Sequence, residues 1–262
     1  MDVSVKPAAQ DPAAAAYTVY VQPGCSSCLR TKEFLARHGV PHRLVDVMND
    51  AAGMAELRAL GLRHVPIVAR GGDYVYGQNV EDVARFTGVG ATAQPRLPRA
   101  ALFERWSGIL GHAAELARQL PAAHLDERPI PGRDGTIRNL AWHVFLIPQA
   151  FMDAVERERP DWIENSMRPA PSSFLGEDIA REGLSIRDDL LAFEKRRGVR
   201  EQDTVVTFQG TQSLHWFLER STWHSAQHTR QLADVLQRLG IDAAPPPAQL
   251  TQGLPLPQRV WE

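Results

Sequence analysis

The chain has 262 residues, of which 44% are apolar and 23% charged, and its formal net charge is −2. That balance describes a folded protein with room for one large domain or two ordinary ones, and it supplies no global field to draw in nucleic acid or an anionic membrane surface. No apolar run approaches the roughly 20 residues of a membrane span, and two cysteines placed three apart fit a cytoplasmic protein rather than a secreted disulfide framework.

In chain order, Met1 to Ala16 is Ala-rich without a basic start or a long apolar core, and reads as a frayed leader rather than a signal peptide. Tyr17 to Val21 is aromatic and β-branched and predicts a strand, broken at Pro23-Gly24. Leu29 to His38 predicts a helix stopped by Gly39-Val40-Pro41. His42 to Val47 alternates as a second strand, and Ala51 to Leu60 is helical up to Gly61. A third strand opens at Val65-Pro66-Ile67-Val68, a fourth follows the Gly71-Gly72 turn over Asp73 to Tyr76, and Val80 to Phe86 closes the series as a short helix. The predicted order is βαβαββα within residues 17–89.

Gly88 to Pro98 is rich in small and turn-forming residues, and residues 90–98 read as a linker. Beyond it the pattern changes to long helices over residues 99–240. Arg99 to Leu120 ends at Pro121. Thr136 to Arg159 follows, with Asp134 or Thr136 as cap and Pro148 as a kink. Gly183 to Arg197 ends at Gly198, Thr204 to Gln209 is a short β-like stretch, and Thr211 to Leu239 is the longest helix. Residues 241–262 are Pro-rich and predict an extended surface tail. Four helices with one long connection, Pro160 to Asp178, predict a four-helix bundle.

Cys25-Ser26-Ser27-Cys28 falls between a strand and a helix. Cys25 would sit at the helix N-terminus, where the dipole and free N–H groups favour a thiolate, so it is the expected attacking sulfur. Cys28, one turn later, can resolve a mixed disulfide, and Ser26 and Ser27 can cap the helix. The same spacing also forms half of a zinc site, but no second CxxC is present and His38, His42 and His64 fit no usual ligand pattern.

Residues 17–89 resemble a glutaredoxin, above all the redoxins that serve ribonucleotide reductase. The resemblance rests on Val19-Tyr20-Val21-Gln22-Pro23-Gly24-Cys25-Ser26-Ser27-Cys28, Lys32-Glu33-Phe34-Leu35 and Arg63-His64-Val65-Pro66-Ile67-Val68. It implies a thioredoxin fold, catalysis by Cys25 and Cys28, a cis-proline at Pro66 facing them, and backbone groups of Val65 that pair with a bound thiol substrate. Gly77 belongs to the implied substrate site. Gln22 and Gln78 stand where glutathione-binding members carry Lys and Gly, so the resemblance implies general dithiol exchange rather than tight glutathione binding.

His224 and His228 are spaced i, i+4 and share a helix face: Leu214, Leu218, Ser221, Ser225, His228, Leu232, Val235 and Leu239 form a helical stripe, and His224 lies beside it. His143 lies on the inward side of an earlier helix, between Leu140 and Ile147. Three imidazoles from two helices would leave positions open on a metal, as catalytic sites do. Histidines on apolar helix faces also occur as satisfied core residues. His112, His124 and His215 read as ordinary surface or core residues.

Residues 97–239 resemble the DinB-like (YfiT-like) family of metal-binding four-helix bundles. The resemblance is densest over Leu218-Glu219-Arg220-Ser221-Thr222-Trp223-His224-Ser225-Ala226-Gln227-His228-Thr229-Arg230-Gln231-Leu232. It implies a ligand triad of His143, His224 and His228 and a divalent ion, zinc or nickel first. Several enzymes of that family place a low-molecular-weight thiol on the metal. The combined expectation is a multidomain α/β plus all-α chain: a dithiol oxidoreductase coupled to a thiol-dependent transferase or hydrolase. Its partners would be thiol or disulfide substrates, small molecule or protein. The alternative is a redoxin carried on a non-catalytic metal-binding or dimerisation module, since such bundles can pair as homodimers through their long helices. Trp142, Trp216 and Trp223 would wall the pocket or pack in the core.

Overall fold

The computed structural model describes residues 17–90, 96–130, 135–158 and 162–261. The chain divides into two compact units near residue 93. The leader, the cap at Asp134, the helix end at Arg159 and most of the predicted linker fall outside the described residues.

The first unit runs β1 (Tyr17–Val21), α1 (Ser26–Arg37), β2 (His42–Asp46), α2 (Ala51–Ala59), β3 (Ile67–Arg70), β4 (Asp73–Tyr76) and α3 (Val80–Thr87). Its sheet has the order β2-β1-β3-β4, with β2 parallel to β1 and the other pairs antiparallel. Successive side chains of a strand point to opposite faces. Tyr17, Val19 and Val21 therefore join Cys28, Leu35, Val68 and Val83 in one apolar cluster, while Tyr20 joins Val45, Leu57, Ile67 and Ala69 in a second. Helices α1 and α3 cover one face of the sheet and α2 the other. α1 begins at Ser26, a turn before the predicted start at Leu29, because the cap is Cys25 itself: its Sγ accepts a hydrogen bond from the Cys28 N–H at 3.2 Å. The expected caps Ser26 and Ser27 lie inside the first turn and are buried.

The second unit contains four long helices, α4 (Arg99–Arg118), α5 (Ile137–Glu156), α7 (Gly176–Arg196) and α8 (Leu214–Arg238). α4 and α5 each pack against both α7 and α8 around a single apolar core. Thr136 caps α5 by accepting from the Asn139 N–H, and Pro148 lies within that helix. The predicted long connection holds a short helix, α6 (Trp162–Ser166). No helix among the described residues is long and apolar enough to cross a membrane.

The second unit also differs from the sequence reading in places. α7 starts at Gly176, not Gly183, with the Asp178 carboxylate accepting from the Leu175 N–H at 3.0 Å. Gly183 is a packing residue inside the helix: a Cβ there would lie 2.5 Å from the Phe145 ring on α5. α8 starts at Leu214, not Thr211, because residues 210–213 form a strand. β5 (Thr204–Thr207) and β6 (Gly210–Ser213) make a hairpin turned by Gly210, whose φ is 86°. Finally, the region from Ala243 is not simply extended. It contains a short helix, α9 (Ala248–Thr251), buries Ala243 and Leu254, and brings residues 257–261 against α8.

Candidate functional site

In the first unit, Cys25 and Cys28 form a disulfide with their Cα atoms 5.1 Å apart. Cys28 is completely buried, whereas Cys25 at the helix cap is only partly so. An incoming thiol or disulfide can therefore reach Cys25 and not Cys28, which matches the roles expected of an attacking and a resolving sulfur.

The Val65–Pro66 peptide is cis. Val65 and Cys25 border the same apolar cluster. Thr31 on α1 donates to the Gly77 carbonyl at 2.7 Å, and the Gly77 N–H donates to the Pro66 carbonyl at 2.8 Å. These bonds tie the segments carrying Pro66 and Gly77 to the helix that carries the cysteines. A Cβ at Gly77 would lie 2.9 Å from Thr31 Oγ1 and 3.1 Å from Pro66 Cβ, so glycine is required by close packing. Gln78 is buried, and its carbonyl accepts from Arg30 at 3.3 Å. Thr31 escaped the sequence reading: a threonine inside a helix gives no local sign that it anchors a residue 46 positions away.

In the second unit, His143 on α5 meets His224 and His228 on α8. Among the described residues these form one cluster able to offer a ligand atom each with all three atoms within 4.8 Å. The ring centroids are 5.5 Å (His143 to His224), 4.6 Å (His143 to His228) and 4.6 Å (His224 to His228) apart, and the two Nε2 atoms on α8 are 3.3 Å apart. Two of the three outer nitrogens have hydrogen-bond partners. His143 Nδ1 donates to the Ser166 carbonyl of α6 at 2.5 Å, and His228 Nδ1 donates to Gln231 Oε1 at 2.7 Å. With Nδ1 carrying the proton, the Nε2 lone pairs of both rings are available inside the cluster, which is the donor state a metal ligand needs. The donor set thus suits a divalent ion held by His143, His224 and His228.

One flank of the cluster is aromatic. Trp223 is 1% exposed and sets its edge against His224 at 5.6 Å. Trp142 packs on Phe174, and Trp216 is buried beside Phe217. Arg220, one turn before His224, is buried, with its guanidinium 4.1 Å from the centre of the Trp162 ring on α6. Ser166 and Gln231 also escaped the sequence reading. Gln231 had a local signal, lying three residues after His228 on the same helix. Ser166 had none. The remaining histidines are engaged elsewhere: His112 with the Ala244 carbonyl, His124 with Glu127 and His215 with the Leu97 carbonyl.

A four-stranded mixed sheet with helices on both faces, a CxxC disulfide capping the first helix and a cis-proline before β3 define the first unit as a thioredoxin-like domain of the thiol oxidoreductase class. More narrowly, residues 17–75 match the Glutaredoxin family model. No curated protein and no solved structure matches the chain significantly.

Proposed function

We propose that the chain couples a dithiol redoxin to a DinB-like metal domain that activates a thiol or water. The observation that carries the second half is the convergence of His143, His224 and His228 within 4.8 Å, with Nδ1 of two of them committed to fixed acceptors. The pairwise packing of α4, α5, α7 and α8 around one core supports a four-helix bundle of the DinB-like type.

In the redoxin half, the Cys25 thiolate attacks a substrate disulfide, releasing one substrate thiolate and forming a mixed disulfide. Cys28 then attacks Cys25 Sγ, expels the second substrate thiolate and leaves the Cys25–Cys28 disulfide seen here. Val65 and Cys25 border one apolar cluster, so the Val65 backbone is the group that would pair with the approaching substrate. In the metal half, a divalent ion such as zinc or nickel would lower the pKa of a bound thiol or water to give a nucleophile near neutral pH. The chain's own part is to hold three neutral imidazoles and to shield the site with Trp223. A low-molecular-weight thiol suits both halves, being oxidised or reduced at one and activated at the other.

The test is metal analysis of the purified full chain and of its His224→Ala variant, with disulfide reduction assayed in both and in Cys25→Ser. The expected result is one divalent ion per wild-type chain, loss of that ion in His224→Ala with reduction retained, and loss of reduction in Cys25→Ser. Metal that survives His224→Ala sinks the triad. Full metal loading without turnover of any thiol and electrophile pair favours a binding or dimerising module.

A further inference from the structure

Residues 227, 230, 231, 234 and 238 form one polar stripe along α8, at the spacing of a single helix face. Such a stripe normally faces water. Here it is covered by residues 257–261. Gln227 Nε2 donates to the carbonyls of Arg259 at 3.2 Å and Val260 at 2.8 Å. Arg230 donates to the carbonyls of Pro257 at 2.8 Å and Gln258 at 3.0 Å. Gln231 Nε2 donates to the Val260 carbonyl at 3.1 Å. The Trp261 indole donates to Asp234 at 2.6 Å, with the Arg238 guanidinium 5.2 Å from its ring centre. The match is chemical: residues 257–261 form neither helix nor strand, and the stripe offers side-chain donors to their carbonyls.

One of these bonds reaches the histidine cluster. The Gln231 side chain is 2% exposed and stands between two groups, Val260 on one side and His228 on the other. Its amide has a donor end and an acceptor end of nearly equal shape. The Val260 carbonyl can only accept, so it takes the NH2 end and turns the oxygen towards His228 Nδ1. That oxygen keeps the proton on Nδ1 and the lone pair on Nε2, where the cluster needs it. With the amide turned the other way, its NH2 would face Nδ1 and favour the tautomer with a proton on Nε2, which cannot ligate there.

We propose that the 257–261 segment is a strap that sets the tautomer of His228 through Gln231 and thereby raises metal affinity at the triad; Gln231 is a positioning residue. This rests on the metal-site reading above. Release of the strap, by cleavage or by a partner that takes the segment, then lowers metal occupancy without touching a ligand.

The experiment measures Zn2+ affinity by competition with a chromophoric chelator, using the full chain, a chain ending at residue 256, Gln231→Leu, Gln231→Glu, and Gln231→Glu in the shortened chain. Removing a partner of this kind costs about 10- to 100-fold in metal affinity. Gln231→Leu should lose that much, and the shortened chain about 10-fold. A carboxylate presents an acceptor oxygen to Nδ1 however it is turned, so Gln231→Glu should bind as the full chain does, and shortening it should change nothing. That rescue separates orientation from mere loss of packing. Equal losses on shortening in the Gln and Glu backgrounds, or wild-type affinity in Gln231→Leu, would overturn the strap while leaving the metal site standing. Absence of Zn2+ binding by the full chain would overturn the metal site itself and the strap with it. Should the shortened chain fail to fold, the contrast between Gln231→Leu and Gln231→Glu still decides the role of Gln231.

Discussion

The Asp203 carboxyl is held well below the usual carboxylate range, and replacing it should loosen the helical unit in a pH-dependent way. Its side chain is 5% exposed, and its pKa falls from 3.8 to about 2. The main cause is the backbone N–H of Arg200, which donates to it at 2.9 Å; the side chains of Arg197, at 3.0 Å, and Arg200 add to this, against a burial that pushes the other way. The carboxylate thereby ties the end of α7 to the start of β5. At about 1.4 kcal/mol per tenfold change, the drop corresponds to about 2 kcal/mol of stability. Because the folded pKa is depressed, this contribution is complete above the unfolded value near 4 and is lost as pH falls through about 2. Asp203→Asn should therefore cost about 2 kcal/mol at pH 7, about half of that at pH 3, and little at pH 2. The six tryptophans all lie beyond residue 105 and the four tyrosines all before residue 77, so tryptophan fluorescence follows the second unit alone. Urea titrations of wild type and variant at pH 7 and pH 3, read by that signal, measure the difference. A cost at pH 7 below about 0.5 kcal/mol, or a full cost that persists at pH 3, would refute the reasoning.

Gly183→Ala should destabilise the second unit by about 1–3 kcal/mol, because its Cβ meets the Phe145 ring at 2.5 Å in a packed helix contact; the same tryptophan signal reads it. Thr136→Ala removes the side-chain oxygen that accepts from Asn139 and should cost about 1 kcal/mol in that unit. Gly77→Ala should cost about 1–3 kcal/mol in the first unit and slow disulfide reduction, since the added carbon pushes on Thr31 and Pro66. Tyrosine absorbance follows its unfolding, and an unchanged reduction rate would show that the Thr31–Gly77–Pro66 link does not position the substrate strand.

The two halves were legible in the sequence to different depths. The βαβαββα order needs only local cues: alternation in Tyr17 to Val21, breaks at Pro23-Gly24 and Gly71-Gly72, and a CxxC at a strand-to-helix junction. The register of His224 and His228 on one face of α8 follows from 3.6 residues per turn. Glycine misled at Gly183, where a residue that ends helices elsewhere serves close packing between two of them. The start of α8 was misplaced because Thr211 to Ser213 gain their strand hydrogen bonds from β5, and propensity yields to such partners.

Amino-acid order alone therefore picked out the groups on which the functional reading rests: two thiols three apart and three imidazoles on two helices. Tertiary structure decided what state those groups are in. Burial leaves Cys25 as the reachable sulfur, and the Ser166 carbonyl and the Gln231 amide select the tautomers of His143 and His228. Val260 turns that amide from 29 residues away. A hydrogen-bond partner brought in by chain folding leaves no periodicity or spacing behind in the sequence, and for that reason only the folded molecule discloses it.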